Sequence, residues 1–153
     1  MMELLNTSIS YNIDGTGNTS SVIAGLRGEV EGRVTITANV TIYPTDLAKD
    51  ETFDDLTKKE LSKRAVDKIP SVIDSLIAVN GGWSFTAGKI SSVSTQFNQS
   101  ETGTYVNANV TATESDFSDK KLDDVTMSRV ALALIPLIRN YRDRITELET
   151  KVK

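Results

Sequence analysis

Short stretches of this sequence occur twice, about 70 residues apart, and this repetition constrains the fold more than any other feature. Three pairs of matches keep the same order along the chain. They are Ala-Asn-Val-Thr at 38–41 and 108–111, Phe-Asp-Asp-Leu-Thr at 53–57 with Leu-Asp-Asp-Val-Thr at 122–126, and Ile-Pro at 69–70 and 135–136. Ordered matches of this kind predict an internal repeat.

Apolar and polar residues alternate through both copies of Ala-Asn-Val-Thr. The apolar positions are Val30, Val34, Ile36, Ala38, Val40 and Ile42 in the first copy and Val106, Ala108, Val110 and Ala112 in the second. Period two predicts half-buried β-strands. Leu5, Ile9, Tyr11 and Ile13 also occupy alternate positions, which predicts an upstream partner strand. Residues 83–97 predict the other partner, with a bulge near Gly88.

Helical periodicity follows each predicted hairpin. Apolar residues from Leu56 to Leu76 lie on one helical face, and Asn80-Gly81-Gly82 is a typical C-terminal stop. Thr57 and Glu60 have the spacing of a capping box, which predicts the helix start. A second helix is predicted from Leu122 towards the C-terminus.

The elements together predict one domain, residues 1–153, made of two ββα units at 3–80 and 83–153. A single ββα unit is marginal alone because one helix covers one hairpin. We therefore predict an α+β fold in which two helices cover one face of an antiparallel sheet of four or more strands. This two-layer arrangement has pseudo-twofold symmetry from the internal ββα duplication.

The composition excludes several kinds of chemistry. The chain has no Cys and no His, which removes disulfides, thiolate nucleophiles, Cys/His zinc sites and histidine acid–base catalysis. Acidic residues cluster before both predicted helices, but their spacing is not that of a calcium loop. Helix N-termini favour carboxylates, so we predict a capping role for them, with no enzyme activity, metal or cofactor.

Charge and hydropathy bear on partners and location. The net charge is −4, and an acidic chain repels phosphate backbones, which disfavours nucleic-acid binding. No run approaches the roughly 18 apolar residues of a membrane span. The N-terminus lacks a basic run and an apolar core of the secretory type. We predict a cytoplasmic protein, in the host cytoplasm if it is phage-encoded, with no membrane partner.

Residues 14–32 are rich in glycine and separate the first two predicted strands. The simpler interpretation is a flexible arm or a long twisted hairpin with glycines at bulges. The alternative interpretation is a partner-binding arm that carries Val22, Ile23, Leu26 and Arg27. Gly15-Thr16-Gly17 is too short a match to indicate a phosphate-binding loop.

The second predicted helix is longer than the first. Its apolar residues at Leu134, Ile138, Tyr141, Ile145, Leu148 and Val152 step by four and three, which is heptad spacing. A helix from Leu122 to Lys151 would be about 45 Å long at 1.5 Å per residue, longer than a sheet of this size. We predict a homo-oligomer with Tyr141, Ile145, Leu148 and Val152 in its interface.

The predicted function is that of a non-enzymatic, self-associating structural or interaction protein of bacterial or phage type. Two alternatives remain open. The first is an inhibitor or adaptor that engages a larger protein partner through the glycine-rich arm, residues 14–32. The second is a small-ligand-binding domain with a pocket between the sheet and the helices.

Overall fold

The computed structural model describes residues 4–30, 33–117 and 121–152, without the side chains of Val30 and of residues 141–152. These residues form an α+β fold, in which helices pack against a six-stranded antiparallel sheet. The strands are β1 (Leu5–Ile13), β2 (Thr19–Val30), β3 (Val34–Ile42), β4 (Ile77–Thr86), β5 (Lys89–Glu101) and β6 (Thr104–Ala112). Their order across the sheet is β1-β2-β3-β6-β5-β4, so β1 and β4 are the two edge strands.

The two central strands carry the predicted alternation. In β3 the side chains of Val34, Ile36, Ala38, Val40 and Ile42 are buried, and those between them are half-buried or exposed. In β6 the buried positions are Thr104, Val106, Ala108, Val110 and Ala112. Because successive side chains of a strand point to opposite faces, one face of the sheet centre carries the core and the other carries Thr, Asn and Tyr.

Helices and short 3-10 turns follow strands β3 and β6. They are 3-10 turns at Pro44–Asp46, Phe53–Asp55, Glu114–Asp116 and Leu122–Asp124, and helices α1 (Lys58–Asp67), α2 (Ile69–Ile73) and α3 (Met127–Val152). The Thr57 hydroxyl accepts from the Glu60 N–H, and the Glu60 carboxylate accepts from the Thr57 N–H. The predicted capping box is therefore confirmed.

Helix side chains spaced by four complete the core. Leu61, Ala65 and Ile69 are buried in the first half, and Val130, Leu134 and Ile138 are buried in α3. Residues four apart share one face of a helix, so each helix presents one apolar stripe to the sheet.

The pairing of β3 with β6 is symmetric about Thr37 and Asn107, which lie opposite each other. Val34 pairs with Val110, and Val40 pairs with Thr104. The two pairs are equivalent if residue i of β3 corresponds to residue i+70 of β6. The flanking backbone hydrogen bonds are related by the same offset of 70 residues. Thr41 N–H donates to Gly103 O at 3.0 Å, and Thr111 N–H donates to Arg33 O at 2.8 Å.

The irregularities of the two edge strands also occur at corresponding positions. The register of β1 against β2 shifts between Asn6 and Ser8 and between Asn12 and Ile13. The register of β4 against β5 shifts between Ala78 and Asn80 and between Ser84 and Phe85. Each pair of shifts is 72 positions apart. A β-bulge is a local geometric feature with its own backbone conformation, so two matched irregularities are independent points of similarity between the halves.

Each half contains three strands, so the predicted ββα units are wrong in composition. The glycine-rich segment supplies the missing strand of the first half, because most of it is β2, which lies between β1 and β3. Its glycines did not prevent strand formation. Gly25 lies where an added Cβ would come within 2.6 Å of the Ser8 hydroxyl oxygen and 2.7 Å of the Thr7 hydroxyl oxygen, so a larger residue there would force these β1 side chains to move.

The predicted end of the first helix is also wrong. The helix ends at Ile73, and Asn80-Gly81-Gly82 lies in the middle of β4. The unit boundary predicted at residues 80–83 therefore falls inside a strand. The apolar residues continue from Val72 and Ile73 through Leu76 into β4. Periodicity alone does not show where such a run changes from helix to strand.

Gly88 itself lies in a chain reversal, and the bulge predicted near it falls three residues later. Ser84 pairs with Ser92 and Phe85 pairs with Ile90, which leaves Ser91 as the extra residue. Ala87 and Gly88 join β4 to β5 with φ values of 51° and 80°, and Thr102 and Gly103 join β5 to β6 with 41° and 79°. Two central residues with positive φ are the signature of a type I′ turn, whose twist suits a two-residue hairpin.

The Ile-Pro match does not join equivalent positions. Ile69 is buried at the start of α2, after the chain departs from α1 at Lys68. Thr57 and Thr126, which begin the two helical segments, are 69 positions apart. The same offset relates Ile69 to the buried Ile138 and not to Ile135. Pro136 lies inside the continuous helix α3, which has no break at that point.

Replacing a buried side chain by alanine should destabilise the protein in either half of the chain. Phe97 of β5 and Leu26 of β2 are buried, and we expect Phe97→Ala to lower the free energy of unfolding by about 3–5 kcal/mol and Leu26→Ala by about 2–5 kcal/mol. Urea unfolding followed by circular dichroism measures both. Leu132→Ala, at a side chain that is 76% exposed, is the control and should change stability by less than about 0.5 kcal/mol. A Phe97→Ala loss below 1 kcal/mol would contradict the assigned core.

Candidate functional site

The residues predicted to form a partner-binding arm lie within the sheet. Val22 and Leu26 are buried core residues, and Ile23 is half-buried. Arg27 is exposed and pairs with Glu29 at 3.7 Å on the same strand. Val22 and Leu26 therefore cannot reach a partner while the sheet is intact. The alternation Val22-Ala24-Leu26 was the sequence signal for this strand.

The Gly15-Thr16-Gly17 stretch forms the β1–β2 turn around the carboxylate of Asp14. Asp14 Oδ1 accepts from the Thr16 N–H at 2.8 Å, the Thr16 hydroxyl at 2.6 Å and the Asn18 N–H at 3.1 Å. These hydrogen bonds lower the pKa of Asp14, and the Thr16 hydroxyl makes the largest contribution. The two N–H groups already bind a carboxylate within the chain, which leaves them unavailable to a phosphate.

The residues predicted to form an oligomer interface, Tyr141, Ile145, Leu148 and Val152, belong to α3 along the backbone. Their side chains are outside the described part of the chain. Their role in self-association stays a prediction.

Acidic residues before the helices act as caps and ion-pair partners. Carboxylates accept from backbone N–H groups in three of the 3-10 turns, where Asp46 binds Tyr43 N at 2.7 Å, Asp55 binds Thr52 N at 3.0 Å and Asp116 binds Thr113 N at 2.8 Å. The ion pairs of this region are Arg33–Asp116, Arg64–Glu51 and Lys68–Asp46. Among the side chains that the structure describes, those of residues 4–29, 33–117 and 121–140, no group of three or more acidic residues has the geometry to hold a metal ion.

Two of these carboxylates have lowered pKa values. The Arg64 guanidinium, which donates to Glu51 at 3.0 Å, is the main cause for the lowered pKa of Glu51, followed by the backbone N–H of Ala48. For Asp55 the main cause is the hydrogen bond from the backbone N–H of Thr52, followed by the one from its hydroxyl at 2.9 Å. Hydrogen bonds to the charged form favour ionisation.

A shallow groove lies between the β1–β2 turn and the loops before α1. It encloses about 280 Å³, and its lining includes Asn18, Thr19, Leu47, Phe53 and Asp54. Sites for small molecules are typically about 300–1,000 Å³ and bury most of the ligand. This groove is open to solvent and falls below that range. A cavity between the sheet and the helices, lined by residues that include Phe97 and Ile138, encloses only about 10 Å³, so neither space favours the ligand-binding alternative.

The most unusual surfaces are the two edges of the sheet, which we call the β1 edge (Leu5–Ile13) and the β4 edge (Ile77–Thr86). Neither strand contains a charged residue or proline. Most side chains of both strands are exposed. Large apolar side chains occupy corresponding exposed positions near the strand ends: Leu5 (60% exposed) and Ile77 (56%), and Ile13 (65%) and Phe85 (63%).

Open edge strands present unpaired backbone N–H and C=O groups to any other strand. Proteins usually protect such edges with lysine, proline, bulges or very short strands. The bulges in β1 and β4 are such a device, but both strands are long, with 9 and 10 residues. The two edges are therefore the surfaces of the described chain best suited to pair with another strand.

Comparisons with known protein families, with curated proteins and with solved structures found no match. Among the described residues, no helix has both the length and the apolar character that crossing a membrane requires.

Removing the charge of Asp55 should change the acid dependence of stability. A pKa lowered below the 3.8 of a free aspartate contributes stability that is fully present above that pH and lost as the pH falls through the folded-state pKa. We expect Asp55→Asn to be less stable than the parent chain at pH 7 and to approach it in stability at pH 2–3. Urea midpoints across that range measure the difference.

Asp124→Asn is the matched control for this prediction. Asp124 holds the corresponding position in the second half, but its turn begins at Lys121 and has no capping box. We expect a smaller difference for this variant at pH 7. An Asp55→Asn difference independent of pH would show that the carboxylate charge does not contribute.

Proposed function

We propose that this protein is a non-enzymatic, self-associating structural protein that assembles through the edges of its sheet. The observation that supports the proposal is the pair of long, uncharged β1 and β4 edges with exposed apolar side chains at both ends of each strand. Addition of a strand to an open edge gains backbone hydrogen bonds along its whole length. Pairing would also remove the exposed apolar side chains of the edge strands from water, which a single copy leaves exposed.

The extension of α3 supplies a second candidate contact. In the first half the helical region ends at Ile73. The offset of 69 between Thr57 and Thr126 relates Ile73 to Arg142. Helix α3 continues from there to Val152. The heptad spacing of Ile145, Leu148 and Val152 is what two helices need to pack along each other. This supports the interface predicted from the sequence and makes it part of the proposal.

We further propose that the chain is an internal duplication, with a βββα unit in place of the predicted ββα unit. The units are related by a pseudo-twofold axis perpendicular to the sheet, which passes between Thr37 and Asn107. Support comes from the symmetric β3–β6 register and the matched bulges of β1 and β4. The boundary lies between Leu76 and Ile77. An experimental structure in which the two sets of bulges fall at unrelated positions would contradict the duplication.

Self-association should depend on the two edges. We expect the parent chain to show concentration-dependent association in sedimentation velocity. Lysine at all four exposed apolar positions (Leu5→Lys, Ile13→Lys, Ile77→Lys and Phe85→Lys) should weaken it by at least about 100-fold, because a buried ammonium group at a paired edge loses its hydration.

The matched control is Leu132→Lys, which places the same charge on an exposed apolar site of α3. Lys63 already occupies the corresponding position of α1, so this variant should fold and associate as the parent does. A parent chain that is monomeric at all accessible concentrations would overturn the proposed function.

Truncation tests the helix contribution separately. A chain ending at Asn140 keeps Val130, Leu134 and Ile138, which are buried, and loses Tyr141 and the heptad residues that follow it. We expect its dissociation constant in the same sedimentation experiment to rise by at least about tenfold, which is about 1.4 kcal/mol. An unchanged dissociation constant would remove α3 from the interface and leave the edges as the contact.

A further inference from the structure

We propose that copies of this protein associate head to tail, with the β1 edge of one copy paired antiparallel to the β4 edge of the next. This inference rests on the proposed self-association and identifies its contact. The partner is a second copy of the same chain.

The directions of the strands favour this pairing. Every neighbouring pair in the sheet is antiparallel, and five successive reversals make β1 and β4 run in opposite directions. A second copy that lies beside the first in the plane of the sheet, with the same orientation, therefore brings its β1 alongside β4 in the antiparallel sense. The ladder continues from copy to copy, and the helices of both copies lie on the same side.

The side chains next to the two edges are compatible in that arrangement. Tyr11 pairs with the buried Val22 within the chain, and Trp83 pairs with the buried Val93, so both rings are on the helix side of the sheet. Ile13 and Phe85 lie two residues further along the same rows. Antiparallel head-to-tail pairing places both rows on one face of the sheet, and a register that puts Tyr11 opposite Trp83 also puts Ile9 opposite Phe85. Cross-strand aromatic pairs of this kind stabilise sheets.

Head-to-tail pairing also satisfies both edges with a single kind of contact. A β1–β1 dimer leaves two β4 edges open, and a β4–β4 dimer leaves two β1 edges open. In β1–β4 pairing every contact uses one edge of each sort, so the same interface repeats from copy to copy. Such an interface is heterologous, and it produces a ring or a filament according to the rotation between neighbours. The right-handed twist of sheets supplies such a rotation.

Mixing two singly blocked variants tests the proposal. Leu5→Lys with Ile13→Lys blocks the β1 edge, and Ile77→Lys with Phe85→Lys blocks the β4 edge at the corresponding positions. Each variant alone should associate at least about tenfold more weakly than the parent. Their mixture should form a one-to-one heterodimer and no larger species, because one open β4 edge and one open β1 edge remain. Native mass spectrometry and sedimentation of the mixture measure this.

The other outcomes overturn the proposal in distinguishable ways. A singly blocked variant that dimerises alone as tightly as the parent shows a β1–β1 or β4–β4 contact, which overturns head-to-tail pairing and leaves self-association standing. A mixture that stays monomeric while the parent associates places the contact elsewhere. A monomeric parent overturns the proposed function as well. If circular dichroism shows that a lysine pair unfolds the chain, Asn12→Lys and Ser84→Lys, which also occupy corresponding exposed positions, replace it.

Discussion

The contact between β3 and β6 is the interaction on which the rest of the structure depends. It joins strands from opposite halves of the chain, and its register brings four of the five buried residues of β3 opposite buried residues of β6. A shift by one residue would turn the apolar side chains of one strand to the solvent face. The register therefore fixes which face the helices cover. A three-stranded half without it would expose Ile36 and Ala38 along an apolar edge.

The sequence predicted those parts of the fold whose signals are local. The central strands β3 and β6 have strict alternation, and the capping box at Thr57 and Glu60 is a pattern of four residues. Strand β2 was missed because its apolar row, Val22-Ala24-Leu26, is short, and Gly25 and Gly28 lower the strand propensity of the segment. At Gly25 an added Cβ would collide with the Ser8 and Thr7 hydroxyls of β1, and contact with another strand is not a local property of the sequence.

Strand β4 and the end of the first helix show the same limit. Asn80-Gly81-Gly82 has the composition of a helix stop, yet Gly81 lies in a strand against the side chain of Met127, where an added Cβ would collide with the sulfur. The candidate site was harder still to predict. Whether a strand lies at an edge depends on the strand order, and the order follows from the non-local β3–β6 pairing. The exposure of Leu5 or Phe85 therefore has no signature in the neighbouring sequence.

The β3–β6 contact and the proposed contact between copies use the same backbone chemistry, but they differ in strength for two physical reasons. The halves of one chain are covalently joined, which gives their mutual pairing an effective concentration of about millimolar or higher. Separate copies lack that advantage. The central strands also bury Val, Ile and Ala on their helix side, whereas most side chains of the two edge strands are exposed. Under the proposed assembly, the chain would therefore fold as a single copy and associate as its concentration rises, which would keep folding separate from assembly.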